Sequence, residues 1–325
     1  MADVQTTFAR ATPEALPDNI TSIQPGGGKC MALELAWGGV RRWWLRTFRP
    51  GYLRRMAQRR QGDVSGCPHE VLDPRDLKYY RNQCDGGWQA SDDPFRWRNH
   101  LLLARWGLGE LLILGVPLLA LTVLAGYLFW PLAIAPLVVL VWWVSFFRDP
   151  PRRIPTASGL IVSPADGKVT EITPLDHDEF IGGPAVRIGI FLSIFNVHIN
   201  RAPVRSRVVR LRYWPGKFLN ALNPASSWEN ESLWLGLEEE DSPHRRMIVR
   251  QVSGLLARRI VCDVRPGEVL ERGYKFGMIK LGSRTELILP AGDDLRISTT
   301  IGQPVRAGAT ILGQWSNSEE RGTHE

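Results

Sequence analysis

The stretch KFGMIKLGSRTELILP, Lys275 to Pro290, decides how this chain is read. Its two halves are short apolar runs, each with the look of a β-strand. Between them stands Gly282-Ser283, with Arg284 and Glu286 close behind. Gly-Ser is a common loop dipeptide, and a turn is the plain reading. The same pair also puts a hydroxyl directly after the residue that best tolerates strained backbone, which is what a chain that cuts itself needs.

Working outward, the surrounding text repeats the strand character. AVRIGIFLSI, SRVVRLRYW, MIVRQVSG, ARRIVCDV and DLRISTTIG are short β-rich runs separated by Gly, Pro and Asp. No long stretch keeps a 3.6-residue period, apart from a short one near Phe218–Leu222. The region from residue 148 onward is therefore mainly β, of barrel or sandwich-hybrid type. Two segments echo each other: RPGEVLERGYKFGMI and IGQPVRAGATILGQW share a Gly/Pro, a Val, a second Gly and an apolar residue. That spacing suits tight turns between short strands, as in carrier domains that hold biotin or lipoate.

Upstream the text changes. Leu111 to Phe147 contain no formal charge. As one helix this run would be roughly 55 Å long, well beyond a ~30 Å hydrocarbon core. Pro131 and Pro136 fall near its middle, so it divides into two spans, about 111–129 and 132–147. The second is near the lower length limit, which leaves a re-entrant hairpin open. Arg96, Arg98 and Arg105 precede this 105–147 hairpin, and Arg148, Arg152 and Arg153 follow it. The positive-inside rule puts both flanks, and so the β region, on the cytoplasmic side of a cell membrane.

The net charge of +7 is local. Arg41, Arg42, Arg46, Arg49, Arg54, Arg55, Arg59 and Arg60 lie in an acid-free stretch, interleaved with Trp43, Trp44, Phe48 and Tyr52. Anionic lipid, nucleic acid and a solvated basic face are the three readings; the Arg/Trp mixture favours a membrane surface over residues 37–60. Pro50-Gly51 should split any helix there. The first thirty residues read as a disordered start to an N-terminal extension of about 100 residues, whose EVLDPRDLKYYRNQ segment looks ordered without suggesting a task. Cys30, Cys67, Cys84 and Cys262 form no CxxC pair. Cys67, His69 and Cys84 fit no common zinc spacing, so no metal is expected.

Three polar segments interrupt the strand pattern. SPADGKV places Asp166 on a turn, FNVHINRAP sets Asn196, His198, Asn200 and Arg201 after an apolar strand, and KLGSRTEL carries Lys280 and Ser283. Each alone has a structural explanation. Their order, FFRDPPRRIP, SPADGKV, FNVHINRAP, ENES, ARRIV and GMIKLGSRTEL, resembles the short-type phosphatidylserine decarboxylases over about residues 105–315.

The resemblance implies a proenzyme that cleaves itself between Gly282 and Ser283, leaving a β chain 1–282 and an α chain 283–325. Ser283 would attack the Gly282 carbonyl to give an ester. Elimination and hydrolysis would then leave a covalent pyruvoyl group at position 283 as the only cofactor. His198 is implied as base and proton donor, with Asp166 fixing its tautomer. The pyruvoyl ketone would take the amine of phosphatidylserine as a Schiff base, accept the electrons as CO2 leaves, and release phosphatidylethanolamine. Asn196, Asn200, Arg201 and Lys280 are candidate substrate-binding groups, although Lys280 reads equally well as a strand lysine. Long-type members carry a second histidine where this chain has Arg201, which leaves open whether His198 serves both reactions. The implied partners are the phospholipid substrate and the two cleaved chains for each other, with a homo-oligomer open and nucleic acid excluded. Deleting residues 1–95 should leave cleavage intact. Two alternatives stand: a related serine phospholipid such as archaetidylserine as substrate, or a non-enzymatic membrane-anchored carrier-like β module. The second is weakened because GMIKLG lacks the second methionine of a carrier tip.

Overall fold

The computed structural model of the chain describes residues 10–61, 69–79, 87–221, 223, 225–255, 259–280 and 282–316. It contains two compact units: residues 18–150, and residues 151–325 together with 1–17.

The first unit is helical. Helices α1 (Lys29–Phe48) and α2 (Pro50–Ala57) are separated at Arg49, with Pro50 at the first position of α2, where its missing N–H costs nothing. Helix α3 (Pro74–Tyr79) follows. Leu45, Tyr52, Met56 and Leu72 form a small core, flanked by Trp44, Leu53, Trp88 and Phe95. Here the Arg/Trp segment departs from the membrane-surface expectation. Trp37, Trp43 and Phe48 do face outward, but Arg41 and Arg42 are buried. Arg41 Nε donates to Asp73 Oδ2 at 3.0 Å, and Arg41 Nη2 and Arg42 Nη1 donate to Asp76 Oδ1 at 3.1 and 3.0 Å. The DPRD stretch thus supplies the counter-charge for two of the arginines. Burial pushes the Asp73 carboxyl up, and Arg41 partly offsets the effect. Cys67 and Cys84 lie outside the described residues.

Helix α4 (Leu108–Leu128) and helix α5 (Ile134–Phe146) form the apolar hairpin, turning through Trp130–Ala133. The most apolar 18-residue window within Arg105–Leu128 has a mean hydropathy of 2.4. The 21 residues of α4 span about 31 Å, whereas the 13 of α5 reach only about 20 Å. Among the described residues, α4 is thus the one helix long and apolar enough to cross a membrane. Gly115 of α4 lies beside Leu140 and Trp143, and Gly126 beside Ala133, with room for ordinary contact.

The second unit is mainly β. Its strands are β1 (Leu160–Val162), β2 (Gly167–Asp178), β3 (Gly183–Leu192), β4 (Ile199–Arg201) and β5 (Ser206–Trp214), then, after the short helix α6 (Ser226–Glu229), β6 (Ser232–Glu239) and β7 (Arg246–Val252). They continue as β8 (Arg259–Cys262), β9 (Val269–Leu270), β10 (Lys275–Lys280), β11 (Ser283–Pro290), β12 (Leu295–Ile297), β13 (Pro304–Val305) and β14 (Ile311–Trp315). An eight-stranded antiparallel sheet has the order β13-β2-β3-β11-β7-β6-β5-β9, and two three-stranded sheets read β4-β10-β8 and β1-β14-β12. The mainly β expectation, preceded by a helical hairpin, holds.

Strand β11 lies near the middle of the large sheet and is buried on both faces. Of its even-numbered side chains, Ile288 belongs to an apolar cluster with Phe180, Ile181, Ala185, Val209 and Ile248. The odd ones face the β4-β10-β8 sheet. Residues 10–17, expected to belong to a disordered start, instead run beside β5. The Glu14 N–H donates to Val209 O at 2.8 Å, and the Glu14 carboxylate is held by Arg210 and Arg212. Burial alone would raise that carboxyl; the two arginines outweigh it and hold it low.

The internal echo is a structural one. Gly267 and Gly302 share φ +93°, each begins a two-residue strand (β9, β13), and each strand leads to a second left-handed glycine, Gly273 or Gly308. Both second glycines pack on Ile154, where a Cβ on either would strike its side chain.

Candidate active site

The quoted stretch is a strand, a corner and a strand. Strand β10 ends in the small sheet, β11 begins in the large one, and Gly282 stands at the crossing with φ +60°, a left-handed conformation that favours glycine. Ser283 opens β11 opposite Leu192 and is fully buried, and its Oγ has no hydrogen-bond partner. A buried hydroxyl without a partner is costly in a structural position.

His198 lies in the connection from β3 to β4 and is also fully buried. Its Nδ1 is 2.9 Å from the Asn196 carbonyl, and its Nε2 accepts the Gly282 N–H at 3.2 Å. Those contacts fix the tautomer: Nδ1 carries the proton and Nε2 the lone pair. The connection is shaped by Asn196, whose Oδ1 accepts the N–H and the Oγ–H of Ser193, both at 2.8 Å.

The structure therefore brings Gly282, Ser283, His198 and Asn196 together, and sorts the other expected residues differently. Asp166 is held by two other groups. Its Oδ2 takes Arg152 at 2.7 Å and its Oδ1 takes the Ala307 N–H at 2.8 Å, so it ties the RR segment to the turn before β14, while the Asn196 carbonyl faces the imidazole Nδ1. Asn200 is fully buried: its Nδ2 donates to Thr285 Oγ1 at 3.0 Å and its Oδ1 accepts Gln251 Nε2 at 2.9 Å. It joins the two sheets behind the corner. Arg201 donates to Gly273 O at 3.0 Å, fixing the first of the echoed turns. Lys280 is buried in β10 opposite Arg259.

Arg284 and Glu286, the charges beside the quoted dipeptide, belong to a ladder on the opposite face. Arg284 Nε donates to Glu286 Oε1 at 2.7 Å, Arg284 also pairs with Glu171, and Arg250 Nη1 reaches Glu286 Oε2 at 3.3 Å. Arg187 Nη2 completes it with Glu171 Oε1 at 2.6 Å. Burial would raise the Glu171 carboxyl, but hydrogen bonds from Arg284, Thr173 and Arg187 hold it down at about 2. The ladder clamps the first turn of β11 from below.

Three residues that matter here were not singled out from the sequence. Extending the β11–β7 register past Arg284–Val252 sets Ser283 opposite Ser253 and Gly282 opposite Gly254. The Gly282 carbonyl oxygen occupies the place a Cβ on Gly254 would take. Glu231, from the ENES segment, follows in line: the Ser253 N–H donates to its carbonyl at 2.9 Å. Of the three, only Glu231 carried a signal, as part of the ENES motif in the family resemblance.

The sequence profile of the family described as phosphatidylserine decarboxylase matches residues 140–313, more than half of the chain. The phosphatidylserine decarboxylase proenzyme of Rhodopirellula baltica is 50% identical over 239 residues, covering 74% of this chain and 99% of that protein. The chain belongs to the phosphatidylserine decarboxylase family. Similar proenzymes from Chlorobium phaeobacteroides (46% identical, 54% of this chain and 81% of that protein) and Symbiobacterium thermophilum (46%, 61% and 90%) agree. The carrier-like alternative falls with that assignment.

Proposed function

We propose that this chain is a self-processing phosphatidylserine decarboxylase that cuts itself between Gly282 and Ser283 and makes phosphatidylethanolamine. One observation carries the reading: a fully buried Ser283 Oγ without a partner stands next to a left-handed Gly282 whose N–H is held by His198. The relatives' designation as proenzymes supports it. Glycines on both sides of the bond, Gly282 and its neighbour Gly254, leave the carbonyl open to a nucleophile.

The residues also fit a pyruvoyl group formed at position 283. The carbon skeleton of such a group would be the Cα and Cβ of Ser283, which is fully buried in the β unit. Such a group supplies the electron sink for loss of CO2. The chain's own residues do the remainder. His198 pins Gly282 in the precursor; once the bond is cut, its Nε2 is released to carry a proton to the substrate carbon. Asn196 keeps the imidazole in the required tautomer, and the Asn200–Gln251–Thr285 network holds β11 still.

The proposed division is a hairpin, 105–147, that anchors the protein in a membrane, and a β domain from 148 that works at its cytoplasmic face. The apolar α4 supports the anchor, and the arginines on both flanks support the orientation. The cleaved chains stay together because β11 is hydrogen-bonded between β3 and β7. Purified protein given vesicles containing phosphatidylserine should produce phosphatidylethanolamine and CO2, and Ser283→Ala should not. Turnover of archaetidylserine but not phosphatidylserine would reassign the substrate while keeping the chemistry.

A further inference from the structure

The large sheet has two unlike ends. One row of register partners, Phe191, Arg284, Val252, Ser232 and Trp214, crosses β3, β11, β7, β6 and β5 at the end where Ser283 opens. The connections at this end run after β3, between β5 and β6, and after β7. Each carries a large apolar side chain facing solvent: Phe195 at 68% exposure, Trp228 at 71% and Leu255 at 57%, with Trp214 at 42% where β5 ends. Their chain neighbours reach the corner itself. An Ile194 methyl lies 3.7 Å from the place of a Cβ on Gly282, and Gly254, just before Leu255, packs on the Gly282 carbonyl. Asn230, two residues after Trp228, donates to the Ser253 carbonyl at 2.8 Å. The Trp228 ring is held beneath Arg187 and Arg250, at 5.4 and 6.0 Å from the guanidinium carbons. Three apolar tips from three separate connections thus flank Gly282–Ser283.

The opposite end is polar. Its connections, 179–182, 202–205, 240–245 and 291–294, carry Glu179, Glu240, Asp241, Asp293 and Asp294. Their two arginines are already paired with acids, Arg205 with Asp241 and Arg245 with Asp294. The large apolar residues there, Phe180, Ile181 and Val204, are buried. Exposed aromatic and aliphatic tips at one end and acids at the other give the polarity of a domain that rests on a bilayer containing anionic lipid. Trp and other large apolar side chains favour the headgroup boundary, and the negative surface repels carboxylates.

We propose that this end of the β domain docks on the phospholipid bilayer, with Phe195, Trp228 and Leu255 immersed at the headgroup boundary around Gly282–Ser283. The inference rests on the lipid-decarboxylase reading and gives the β domain a docking surface of its own, additional to the apolar hairpin. A phospholipid drawn fully into water exposes its acyl chains, and every methylene adds to the cost. With the corner at the headgroup level, only the serine headgroup has to leave the surface, while the chains stay in the bilayer. The acidic connections are then held away from the lipid phosphates.

The test uses full-length protein reconstituted into vesicles of phosphatidylcholine and phosphatidylglycerol. The photocrosslinker benzoylphenylalanine replaces Phe195, Trp228 or Leu255, or, at the acidic end, Asp241 or Asp293. After irradiation, intact masses are read for an added phospholipid. Lipid adducts at the first three positions should exceed those at the last two by about 10-fold or more. Equal yields at both ends would overturn the docking surface, and so would adducts between two protein chains, which would assign the apolar tips to a second copy. A second readout separates docking from folding. Phe195→Ser combined with Trp228→Ser should raise the apparent KM for phosphatidylserine in vesicles by about 10²-fold, yet leave kcat/KM for a dispersed short-chain phosphatidylserine within about twofold of wild type. Release of the position-283 fragment should keep its wild-type rate. Equal losses on both substrates, the mark of a merely structural role, would overturn the proposal. Wild-type protein that turns over neither substrate would overturn the decarboxylase reading instead, while the lipid adducts still decide the docking surface.

Discussion

Gly254→Ala tests the geometry of the corner with one methyl group. The added Cβ would lie 3.2 Å from the Gly282 carbonyl carbon and far inside contact range of its oxygen, with Ala221 Cβ at 3.4 Å on another side. Ordinary contact begins near 3.4 Å, so the oxygen must retreat by about 1 Å. It cannot do so freely, because the Gly282 N–H is held by His198 and Ser283 is locked into the β3–β11 ladder. Attack needs the nucleophile within about 3–3.5 Å of the carbonyl carbon, and a misplacement of about 1 Å costs on the order of 10²-fold, or about 2.7 kcal/mol of barrier. Release of the position-283 fragment should therefore slow by about 10²-fold. In a Ser283→Ala background, where nothing is cut, the same substitution should leave the circular dichroism spectrum unchanged and lower the melting temperature by only a few degrees. Processing of Gly254→Ala at the wild-type rate would refute the claim that the glycine pair keeps the carbonyl open.

Other expectations follow from the charges. Glu171 has a folded-state value of about 2 against an ordinary 4.5, so its stabilisation is present above about 4.5 and lost as pH falls toward 2. In a Ser283→Ala background, Glu171→Gln should cost about 1–2 kcal/mol at pH 7 after allowance for screening, and almost nothing near pH 2, as read from urea melts. Glu231 has the opposite sign: its folded value is raised to about 7, so the uncut protein loses stability as pH climbs from about 4.5 to 7. Glu231→Gln should remove that loss, a gain on the order of 2–3 kcal/mol at pH 8 by thermal melting in the same background. Asp76→Ala leaves buried Arg41 and Arg42 short of a counter-charge and should cost about 3–5 kcal/mol in the helical unit, seen as faster hydrogen exchange across α1 and α3. Glu14→Ala should weaken the β unit by about 0.5–1 kcal/mol in urea while leaving processing unchanged.

The β class, the apolar hairpin and the Gly282 corner were legible because each rests on local pattern: alternation, an uncharged run, and a glycine between strands. The echoed turns were legible for the same reason, since both demand glycine at two left-handed positions. What was not legible depended on partners distant in sequence. An Arg/Trp segment looks alike whether it meets lipid or folds over Asp73 and Asp76, and nothing local names those acids as its partners. Asp166 sits in a turn beside the histidine strand, yet the closer cation is Arg152, fourteen residues earlier. Asn200 and Arg201 read as recognition groups because they are polar after an apolar strand, but buried polar groups must first satisfy one another, and there they join sheets and turns. Gly254 closes a strand like any other glycine; its role comes from register, which a single strand does not display.

The central claim is that Gly282–Ser283 is a bond the protein breaks itself. The most direct measurement is the intact mass of purified wild-type chain beside Ser283→Ala. Two wild-type pieces are predicted, the smaller beginning at position 283 with a ketone in place of its amine, against a single full-length Ser283→Ala chain. One uncut chain in both samples would contradict the account.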